Sequence, residues 1–395
     1  MVILYFKRQF FVILLLLVMV ISCSVIVWYR FHQPVVTDTY RMRPEFPPLV
    51  LLPGSEQGPK VYAAAAVLIE SKSGAILYAK NAEQRRAPAS TTKIMTAIVA
   101  LEKGDLSKII TVSPRAARTG GSTIYLKPGD RLSLKELLEG IMLRSGNDGS
   151  MAVAEGVAGS IENFIELMNL KAKEIGAIKT NFRNPHGLRA PSHYTTALDL
   201  ALMARYGLAN RLFANLVKQK TAVIEWEERR KSVEVKNTNR LLWYLEGADG
   251  VKTGTTNEAG HCLVASATRD QKQLIAVVLN SKDRWGDSQR LLEYGFQEFD
   301  ILRIADFNQA VAKIKVKNGW PRSVNLYPRS DLAAVVRKGE AEKVVPQIRV
   351  FKDPVPAPLK PGEILGDIGY LYRGELVNKV DLINLKPVRK SWWFW

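Results

Sequence analysis

The amino-acid sequence predicts an α/β (α+β) protein, with one mixed sheet covered by helices and a small all-β domain after it. Two strand-like runs, 63–71 and 75–81, lie far in sequence from three others at 250–280, with helical segments between them. This order predicts a single sheet that is completed by distant parts of the chain and covered by helices on both faces. A single N-terminal hydrophobic segment precedes these parts.

Composition indicates ordinary globular domains. The chain has 395 residues, of which 47% are hydrophobic and 24% are charged, so we expect two or three domains with a large core. Only two cysteines are present, Cys23 and Cys262, and a disulfide framework is not expected. The four histidines include no pair with zinc-ligand spacing. We therefore expect neither a metal nor a cofactor.

The formal net charge of +18 favours anionic partners, such as nucleic acid, acidic lipid or an anionic polymer. The lysines and arginines are scattered over the chain, and no zinc finger, RNA-binding signature or basic heptad array is present. We therefore expect a membrane surface or an anionic polymer as partner, and no nucleic acid. A solvated basic surface without a specific partner stays open as the alternative.

The N-terminus predicts the compartment. Lys7 and Arg8 precede an apolar run of about 20 residues, Phe10 to Tyr29, which is long enough to span a bilayer with a cytoplasmic N-terminus. We favour an uncleaved anchor because apolar residues continue past Cys23. A cleaved signal stays open as an alternative. A lipoprotein signal also stays open, since the residues ending at Cys23 resemble a bacterial lipobox. All three interpretations place the remaining chain outside the cytoplasm.

Changes in composition divide the chain into five segments. We expect a signal or membrane anchor at 1–32 and a Pro-rich linker at 33–60. The main domain is expected at 61–302. Short strand-like pieces broken by Gly and Pro predict a β-rich domain at 303–388. The aromatic tail at 389–395 combines cations with tryptophans, which suits a membrane interface; an unstructured tail is the alternative.

Helix signals fill the middle of the main domain. After Pro88 an apolar stretch extends to Gly104, a typical helix stop. Ser133 and Glu136 form a capping box that opens a helix expected to end near Arg144. Apolar periodicity predicts further helices at 151–159, 164–176 and 288–299.

Ser90 and Lys93 form the only S-x-x-K motif in the chain. On a helix, residues three apart share one face, so the ammonium can reach the hydroxyl. A serine at a helix start is ordinarily a cap, which is the structural alternative. A capping box has Glu or Gln where Lys93 stands, however. The field of the helix N-terminus and burial would lower the pKa of this lysine and make a neutral general base feasible.

Two further motifs follow along the chain. Ser145-Gly146-Asn147 lies in a turn expected between two helices, a setting where catalytic side chains gather; alone it is uninformative, because Ser323-Val324-Asn325 also matches S-x-N. Lys252-Thr253-Gly254 lies in an expected strand, where a glycine lets another backbone or a ligand approach closely. The near-match Arg118-Thr119-Gly120 has no such strand setting.

Two other side chains are weaker candidates. His186 follows Asn184-Pro185, and its Pro and Gly neighbours indicate a structural turn. No G-x-S-x-G motif exists, so a Ser-His-Asp triad is not favoured. Cys262 lies in an expected central strand, where we expect an inert buried thiol rather than a nucleophile.

In this order, S-x-x-K, S-x-N and K-T-G resemble the signature of penicillin-binding proteins and serine β-lactamases. The segments around these motifs are also similar to those of low-molecular-mass D-alanyl-D-alanine carboxypeptidases. These segments are 87–97, 143–155, 184–188, 193–204, 237–242 and 247–256. The resemblance covers approximately residues 60 to 300, and the part after 303 resembles the C-terminal domain of that family. It implies a serine β-lactamase/D,D-peptidase-like sandwich for the main domain.

The resemblance implies acyl transfer to a serine. Ser90 attacks the carbonyl of the D-Ala-D-Ala bond, and Lys93 takes its proton. Ser145 relays a proton to the departing D-alanine, while Lys252 holds that serine in a cationic field. Asn147 orients the peptide amide. Water then hydrolyses the acyl-enzyme.

The resemblance also assigns the substrate contacts. The backbone N–H groups of Ser90 and Thr255 form the oxyanion hole. Thr253, followed by Gly254 in the K-T-G motif, binds the terminal carboxylate. Arg284 aligns with an arginine that serves this carboxylate in similar enzymes, and a plain surface arginine is its alternative.

The implied activity is a serine-type D-Ala-D-Ala carboxypeptidase that trims peptidoglycan stem pentapeptides outside the bacterial membrane, with β-lactams as covalent inhibitors. A class A β-lactamase is disfavoured because Gly146 stands where those enzymes carry Asp, and no counterpart of their deacylating Glu is evident. An endopeptidase of peptide cross-links has the same motifs and stays open. A penicillin sensor or a wall-binding protein without turnover is the alternative of another class; the intact motifs argue against a dead site.

Overall fold

The computed structural model describes residues 47–227 and 232–391. The predicted signal or anchor, Cys23, the first half of the predicted linker and the last four residues of the tail lie outside the described residues. In the part of the chain that is described, no helix is both long and apolar enough to cross a membrane.

The main domain alternates strands and helices. In chain order its elements are β1 (Val50–Leu51), β2 (Ala65–Glu70), β3 (Ala75–Lys80), α1 (Lys93–Lys103), β4 (Ile109–Thr111), α2 (Pro114–Ala117), β5 (Arg131–Ser133), α3 (Leu134–Glu139), α4 (Asn147–Ala158), α5 (Ile161–Glu174), α6 (Ala197–Ala209), α7 (Arg211–Val217), β6 (Thr221–Glu225), β7 (Ser232–Lys236), α8 (Leu241–Tyr244), β8 (Ala248–Thr256), β9 (Gly260–Arg269), β10 (Lys272–Leu279) and α9 (Arg284–Glu298). A 3-10 turn, Ala89–Thr92, precedes α1, and a π-helical turn, Gly140–Arg144, extends α3.

The central sheet joins the two predicted groups of strands. Its order is β1-β3-β2-β10-β9-β8. β1 pairs parallel with β3, and the other neighbours pair antiparallel. The sheet is therefore mixed only because of the short edge strand β1. The predicted sheet completed by distant segments is thereby confirmed.

The edge strand β1 lies inside the segment predicted as a linker. The backbone N–H of Val50 donates to Gly74 O at 3.0 Å, and that of Leu52 donates to Ile76 O at 3.2 Å. A strand of two residues next to prolines carries no detectable alternation in sequence, because a periodic pattern needs about four residues to be recognised.

The sheet separates two apolar cores. Ala65, Val67 and Ile69 of β2 face the core formed with α1, α4, α5 and α6. Ala66 and Leu68 face the opposite core, which includes α9. Successive side chains of a strand point to opposite faces, so a strand buried on both faces has the continuous apolar sequence seen here.

Local signals set the helix bounds that matter for the site. Ser133 Oγ accepts a hydrogen bond from Glu136 N at 3.2 Å, and Glu136 Oε2 accepts one from Ser133 N at 2.8 Å, which confirms the capping box. The π-helical turn then carries the helix to Arg144, as predicted. The next helix, α4, begins at Asn147 rather than at 151, because Gly146 and Asp148 suit a helix start as well as a turn.

The C-terminal part is all-β, as predicted. Its strands are β11 (Phe299–Ala305), β12 (Ala312–Lys317), β13 (Gly319–Trp320), β14 (Ser323–Pro328), β15 (Leu332–Arg337), β16 (Val344–Val350), β17 (Val355–Pro356), β18 (Ile364–Tyr372), β19 (Glu375–Asn384) and β20 (Arg389–Lys390). A six-stranded sheet has the order β16-β18-β19-β14-β12-β17, and β11-β15 and β13-β20 form two further pairs. β11 starts at Phe299, directly after α9 and before residue 303. The apolar core of this C-terminal part is continuous with the core on the α9 face of the central sheet.

Candidate active site

Ser90 lies in the 3-10 turn and does not cap α1. The helix begins at Lys93, with Thr92 as the residue before it, and neither helix start has a side-chain cap. Ser90 Oγ instead lies within hydrogen-bond distance of Lys93 Nζ, at 3.0 Å. The interpretation of Ser90 as an ordinary helix cap is therefore wrong, because its hydroxyl is directed at the lysine.

The Lys93 side chain is fully buried, with its nitrogen among three oxygen atoms. Nζ lies 2.7 Å from Asn147 Oδ1 and 2.7 Å from His186 O, in addition to Ser90 Oγ. Burial holds the pKa of Lys93 well below its usual value, and the nearby Lys252 lowers it further, while Asp148 opposes the shift. Burial disfavours the charged form of an amine, so the neutral form of Lys93 is favoured relative to that of a solvated lysine.

The partners of a neutral Lys93 fix its orientation. A neutral amine has two N–H donors and one lone pair, and a carbonyl oxygen can only accept. Asn147 Oδ1 and His186 O therefore take both donors, and the lone pair faces the hydroxyl of Ser90. This arrangement suits a general base that removes the proton of Ser90.

Asn147 is held in one orientation by the loop at 120–126. Its Nδ2 donates to Gly120 O at 2.8 Å, which leaves Oδ1 for Lys93, and its backbone N donates to Ser122 O at 2.7 Å. A Cβ on Gly121 would lie 2.7 Å from Asn147 Nδ2, so only glycine fits there. The pair Gly120-Gly121 was the signal in the sequence for this close approach, and it was not recognised as one.

Ser145 joins the π-helical turn to α4. It is buried and has a left-handed φ of 69°, and it lies two residues before Asn147 in the predicted turn. The turn expected from the sequence is therefore present. Left-handed backbone is rare for a residue with a side chain and tends to occur at functional sites.

The Asn184-Pro185-His186-Gly187 turn contacts the S-x-x-K segment through its backbone. His186 O accepts from Lys93, and Pro185 O accepts from Thr96 Oγ1 at 2.6 Å. Gly187 has a φ of 91°, and a Cβ there would lie 1.8 Å from Ala89 O. The predicted structural turn is confirmed. Its carbonyl contact with Lys93 had no signal in the sequence, since every residue has a carbonyl.

The His186 ring does not take part in a serine triad. Its Nδ1 accepts a hydrogen bond from Leu188 N at 3.2 Å. Burial, followed by the charge of Lys93, lowers the pKa of His186 to about 3. The ring is therefore neutral and is bonded to its own turn.

The K-T-G motif lies in β8 beside the 3-10 turn. A Cβ on Gly254 would lie 3.0 Å from Pro88 O and 3.1 Å from Ser90 N. The predicted close backbone approach at this glycine is confirmed. Lys252 is buried, and burial followed by the charge of Arg284 lowers its pKa to about 7. Thr253 Oγ1 lies 2.7 Å from the hydroxyl of Thr238.

Arg284, the first residue of α9, reaches back to the end of β8. Its Nη1 donates to Gly254 O at 3.0 Å and to Thr255 Oγ1 at 2.7 Å, and its guanidinium carbon lies 4.7 Å from the centre of the Trp285 ring. Burial lowers its pKa. Arg284 is half-buried against the K-T-G strand and is no plain surface residue.

Three basic side chains of the site form a row of electrostatic couplings, Arg284 to Lys252 to Lys93. Arg284 lowers the pKa of Lys252, and Lys252 lowers the pKa of Lys93. Basic side chains gathered in one site attract anions.

Cys262 is inert, as predicted. It is fully buried and pairs with Gly254 across β8 and β9, and burial raises the pKa of its thiol to about 11. Within residues 47–227 and 232–391, no group of three or more His, Cys, Asp or Glu side chains could hold a metal ion.

Comparison with known proteins agrees with this geometry. The family model for D-alanyl-D-alanine carboxypeptidase matches residues 53–283, more than half of the chain. The chain belongs to this family. The model for the C-terminal domain of penicillin-binding protein 5 matches residues 299–390. The predicted family is thus confirmed, and the chain is a penicillin-binding serine D-alanyl-D-alanine carboxypeptidase.

Individual relatives cover nearly the whole described chain. D-alanyl-D-alanine carboxypeptidase DacF of Bacillus subtilis (strain 168) is 38% identical over 83% of this chain and 86% of its own. DacC of Escherichia coli (strain K12) is 34% identical over 86% of this chain and 87% of its own. The structure of penicillin-binding protein 5 from Haemophilus influenzae has a TM-score of 0.76 at 30% identity, covering 84% of this chain and 99% of that chain.

The contact between Gly187 and Ala89 O makes a testable prediction for the carboxypeptidase. In Gly187→Ala the added Cβ displaces the 3-10 turn, so we expect the second-order rate constant of acylation by benzylpenicillin to fall about 10²-fold. Gly176→Ala is the matched control, because Gly176 has a similar φ of 86° but open space around its Cβ position. Equal acylation rates in the two variants would show that the contact does not position Ser90.

Proposed function

We propose that this carboxypeptidase removes the terminal D-alanine from peptidoglycan stem pentapeptides through an acyl-enzyme on Ser90, at the outer face of the bacterial membrane. The observation that carries the chemistry is the buried Lys93 amine, whose two other neighbours are oxygen atoms that can only accept hydrogen bonds. The remaining position of the amine is directed at Ser90 Oγ.

Acylation begins when Lys93 takes the proton of Ser90 as Oγ attacks the carbonyl carbon of the D-Ala-D-Ala bond. The oxyanion is stabilised by the backbone N–H groups of Ser90 and Thr255, on the two segments that meet at Gly254. The tetrahedral intermediate then expels D-alanine, which receives a proton through Ser145. Water attacks the resulting ester, and Ser90 is regenerated with release of the shortened peptide.

Lys252 and Asn147 support these steps without forming a bond to the substrate carbon. A cationic Lys252 lowers the pKa of Lys93 and holds the relay serine, Ser145, in a positive field. Asn147, with its Oδ1 on Lys93 and its Nδ2 on Gly120 O, orients the stem-peptide amide.

The terminal carboxylate is expected at the cationic end of β8. Arg284 holds its guanidinium against Gly254 O and Thr255 Oγ1 at this end. Thr253 contributes a hydroxyl, which can donate to a carboxylate when Thr238 donates to it. β-Lactams carry a carboxylate and a strained amide, so they are expected to occupy the same positions and to acylate Ser90.

The principal test measures release of D-alanine from diacetyl-L-Lys-D-Ala-D-Ala. We expect release by the native protein and a loss of at least about 10⁴-fold in kcat in Ser90→Ala, because the nucleophile is removed. Durable penicillin labelling without release would favour a sensor. Faster cleavage of cross-linked muropeptides than of the pentapeptide would favour an endopeptidase. Either result would contradict the proposal.

Arg284→Gln tests the charge row through pH dependence. Loss of the neighbouring cation raises the pKa of Lys252 above about 7, so a required cationic Lys252 persists to higher pH. We expect the alkaline limb of kcat/KM to move to higher pH and KM to rise about tenfold, since a charged hydrogen bond to the carboxylate is lost. Arg269→Gln is the control, because Arg269 also lies over an aromatic ring, Phe296, but pairs with Glu293. An unchanged alkaline limb of kcat/KM in Arg284→Gln would refute the proposed influence of Arg284 on Lys252.

The proposed location rests on both ends of the chain. The apolar run from Phe10 to Tyr29 follows two cations, a pattern typical of an anchor with an exported body. At the other end, Trp320 has 74% of its surface exposed and pairs in β13 with Arg389 of β20, the first residue of the aromatic tail. An exposed indole beside cations suits a membrane interface.

Flotation with vesicles containing anionic lipid tests this location. We expect the complete chain to float with the vesicles and the chain without residues 1–32 to bind weakly and in a salt-dependent manner, because only the C-terminal surface remains. Trp320→Ala should weaken this residual binding, whereas Trp243→Ala, which removes another exposed tryptophan, should not. Full binding without residues 1–32 would contradict an N-terminal anchor, and a diacylglyceryl adduct at Cys23 would replace it with a lipid anchor.

A further inference from the structure

A chain of three hydrogen bonds ends on the 3-10 turn that carries Ser90. The backbone N–H of Arg183 donates to His193 Nδ1 at 3.0 Å. His193 Nε2 lies 3.0 Å from Thr92 Oγ1. Thr92 Oγ1 donates to Ala89 O at 2.9 Å. His193 is buried and belongs neither to the three motifs nor to the steps derived above.

The two ends of this chain fix its direction. The Arg183 amide can only donate, so His193 Nδ1 is an acceptor and the ring proton is on Nε2. The Ala89 carbonyl can only accept, so Thr92 gives its proton to that carbonyl and receives the proton of Nε2. Protonation of His193 would place an N–H against the N–H of Arg183. Burial lowers the pKa of His193 to about 4, so the neutral ring persists at neutral pH.

Ala89 O, the last acceptor in this chain of hydrogen bonds, belongs to the peptide group whose N–H is assigned to the oxyanion hole. Ala89 O and Ser90 N belong to one planar amide, so the direction of the carbonyl fixes the direction of the Ser90 N–H. Ala89 has a φ of 48°, a left-handed conformation that is sterically unfavourable for a residue with a side chain. The surrounding structure must therefore hold this peptide in place. A hydrogen bond to its carbonyl also polarises the amide and strengthens its N–H as a donor.

We propose that His193 is a positioning residue for the oxyanion hole: through Thr92 it orients the Ala89–Ser90 peptide so that the Ser90 N–H faces the developing oxyanion. The proposal rests on the proposed function, which assigns that N–H to the oxyanion hole. His193 touches neither the substrate nor Lys93 in this role. It acts on the stability of the tetrahedral intermediate rather than on substrate binding.

Two substitutions at one position separate the two contacts of the ring. Gln places an amide donor near the position of Nε2 and keeps the contact with Thr92. Asn places an acceptor near Nδ1 and keeps only the contact with Arg183. We expect His193→Gln to retain kcat within a few-fold and His193→Asn to lose about 10²-fold in kcat with little change in KM. A merely structural role in the Arg183 segment predicts the opposite order, and this order or equal losses would overturn the proposal.

Variants at Thr92 test the same path. Thr92→Ser keeps the hydroxyl and should retain kcat, whereas Thr92→Val should lower it as His193→Asn does. In the double variant His193→Asn/Thr92→Val we expect no further loss, because both changes break one path. Additive losses would contradict the proposal. Melting temperatures and near-UV circular dichroism identify any variant that is unfolded. In that case the conservative variants Thr92→Ser and His193→Gln decide the outcome.

A peptide boronate, which forms a tetrahedral adduct with the serine, provides the decisive readout. Its affinity should fall in parallel with kcat across these variants, while the acid limb of the pH profile stays in place because Lys93 is untouched. A shifted acid limb with unchanged boronate affinity would overturn the proposal. Absence of D-alanine release by the native protein would instead refute the proposed function, so the two failures are distinguishable.

Discussion

The site depends on the burial of one amine. Lys93 has lost its water, and its nitrogen is surrounded by the side-chain oxygen of Asn147, the backbone oxygen of His186 and the hydroxyl of Ser90. Burial makes the neutral form accessible, and two obligate acceptors direct the lone pair to the hydroxyl. The three oxygens come from the 3-10 turn, the start of α4 and the turn at 184–187. The helical region must therefore fold completely before Lys93 can act as a base.

Close backbone contacts at glycines also hold these segments together. A Cβ at Gly187 would lie 1.8 Å from Ala89 O, and one at Gly254 would lie 3.1 Å from Ser90 N. Such contacts fix the relative positions of rigid peptide groups, whereas long side chains would leave them freedom to move. Such rigid contacts suit an oxyanion hole, because a displacement of its N–H donors by about 1 Å is enough to lose most of the stabilisation of the oxyanion.

The sequence predicts the parts of this arrangement that carry a residue-type signal. Ser90, Lys93 and Lys252 could be found because their spacing and order are distinctive, and the capping box at Ser133 because its two partners are specific residues. Three features could not be predicted. The carbonyl of His186 has no signature, the strand Val50–Leu51 is too short for a periodic pattern, and the pairing of Thr253 with Thr238 depends on tertiary packing.

In the proposed function, the row of basic side chains links substrate binding to catalysis. Arg284 disfavours the charged form of Lys252, and Lys252 disfavours that of Lys93, so the free site contains unfavourable interactions between like charges. In the proposed binding mode, a substrate carboxylate at Arg284 would neutralise the outermost charge and raise the pKa of Lys252. Since binding and protonation are thermodynamically linked, a cationic Lys252 must in turn favour the carboxylate. Substrate binding in this mode would therefore stabilise a cationic Lys252, whose charge lowers the pKa of the proposed base, Lys93.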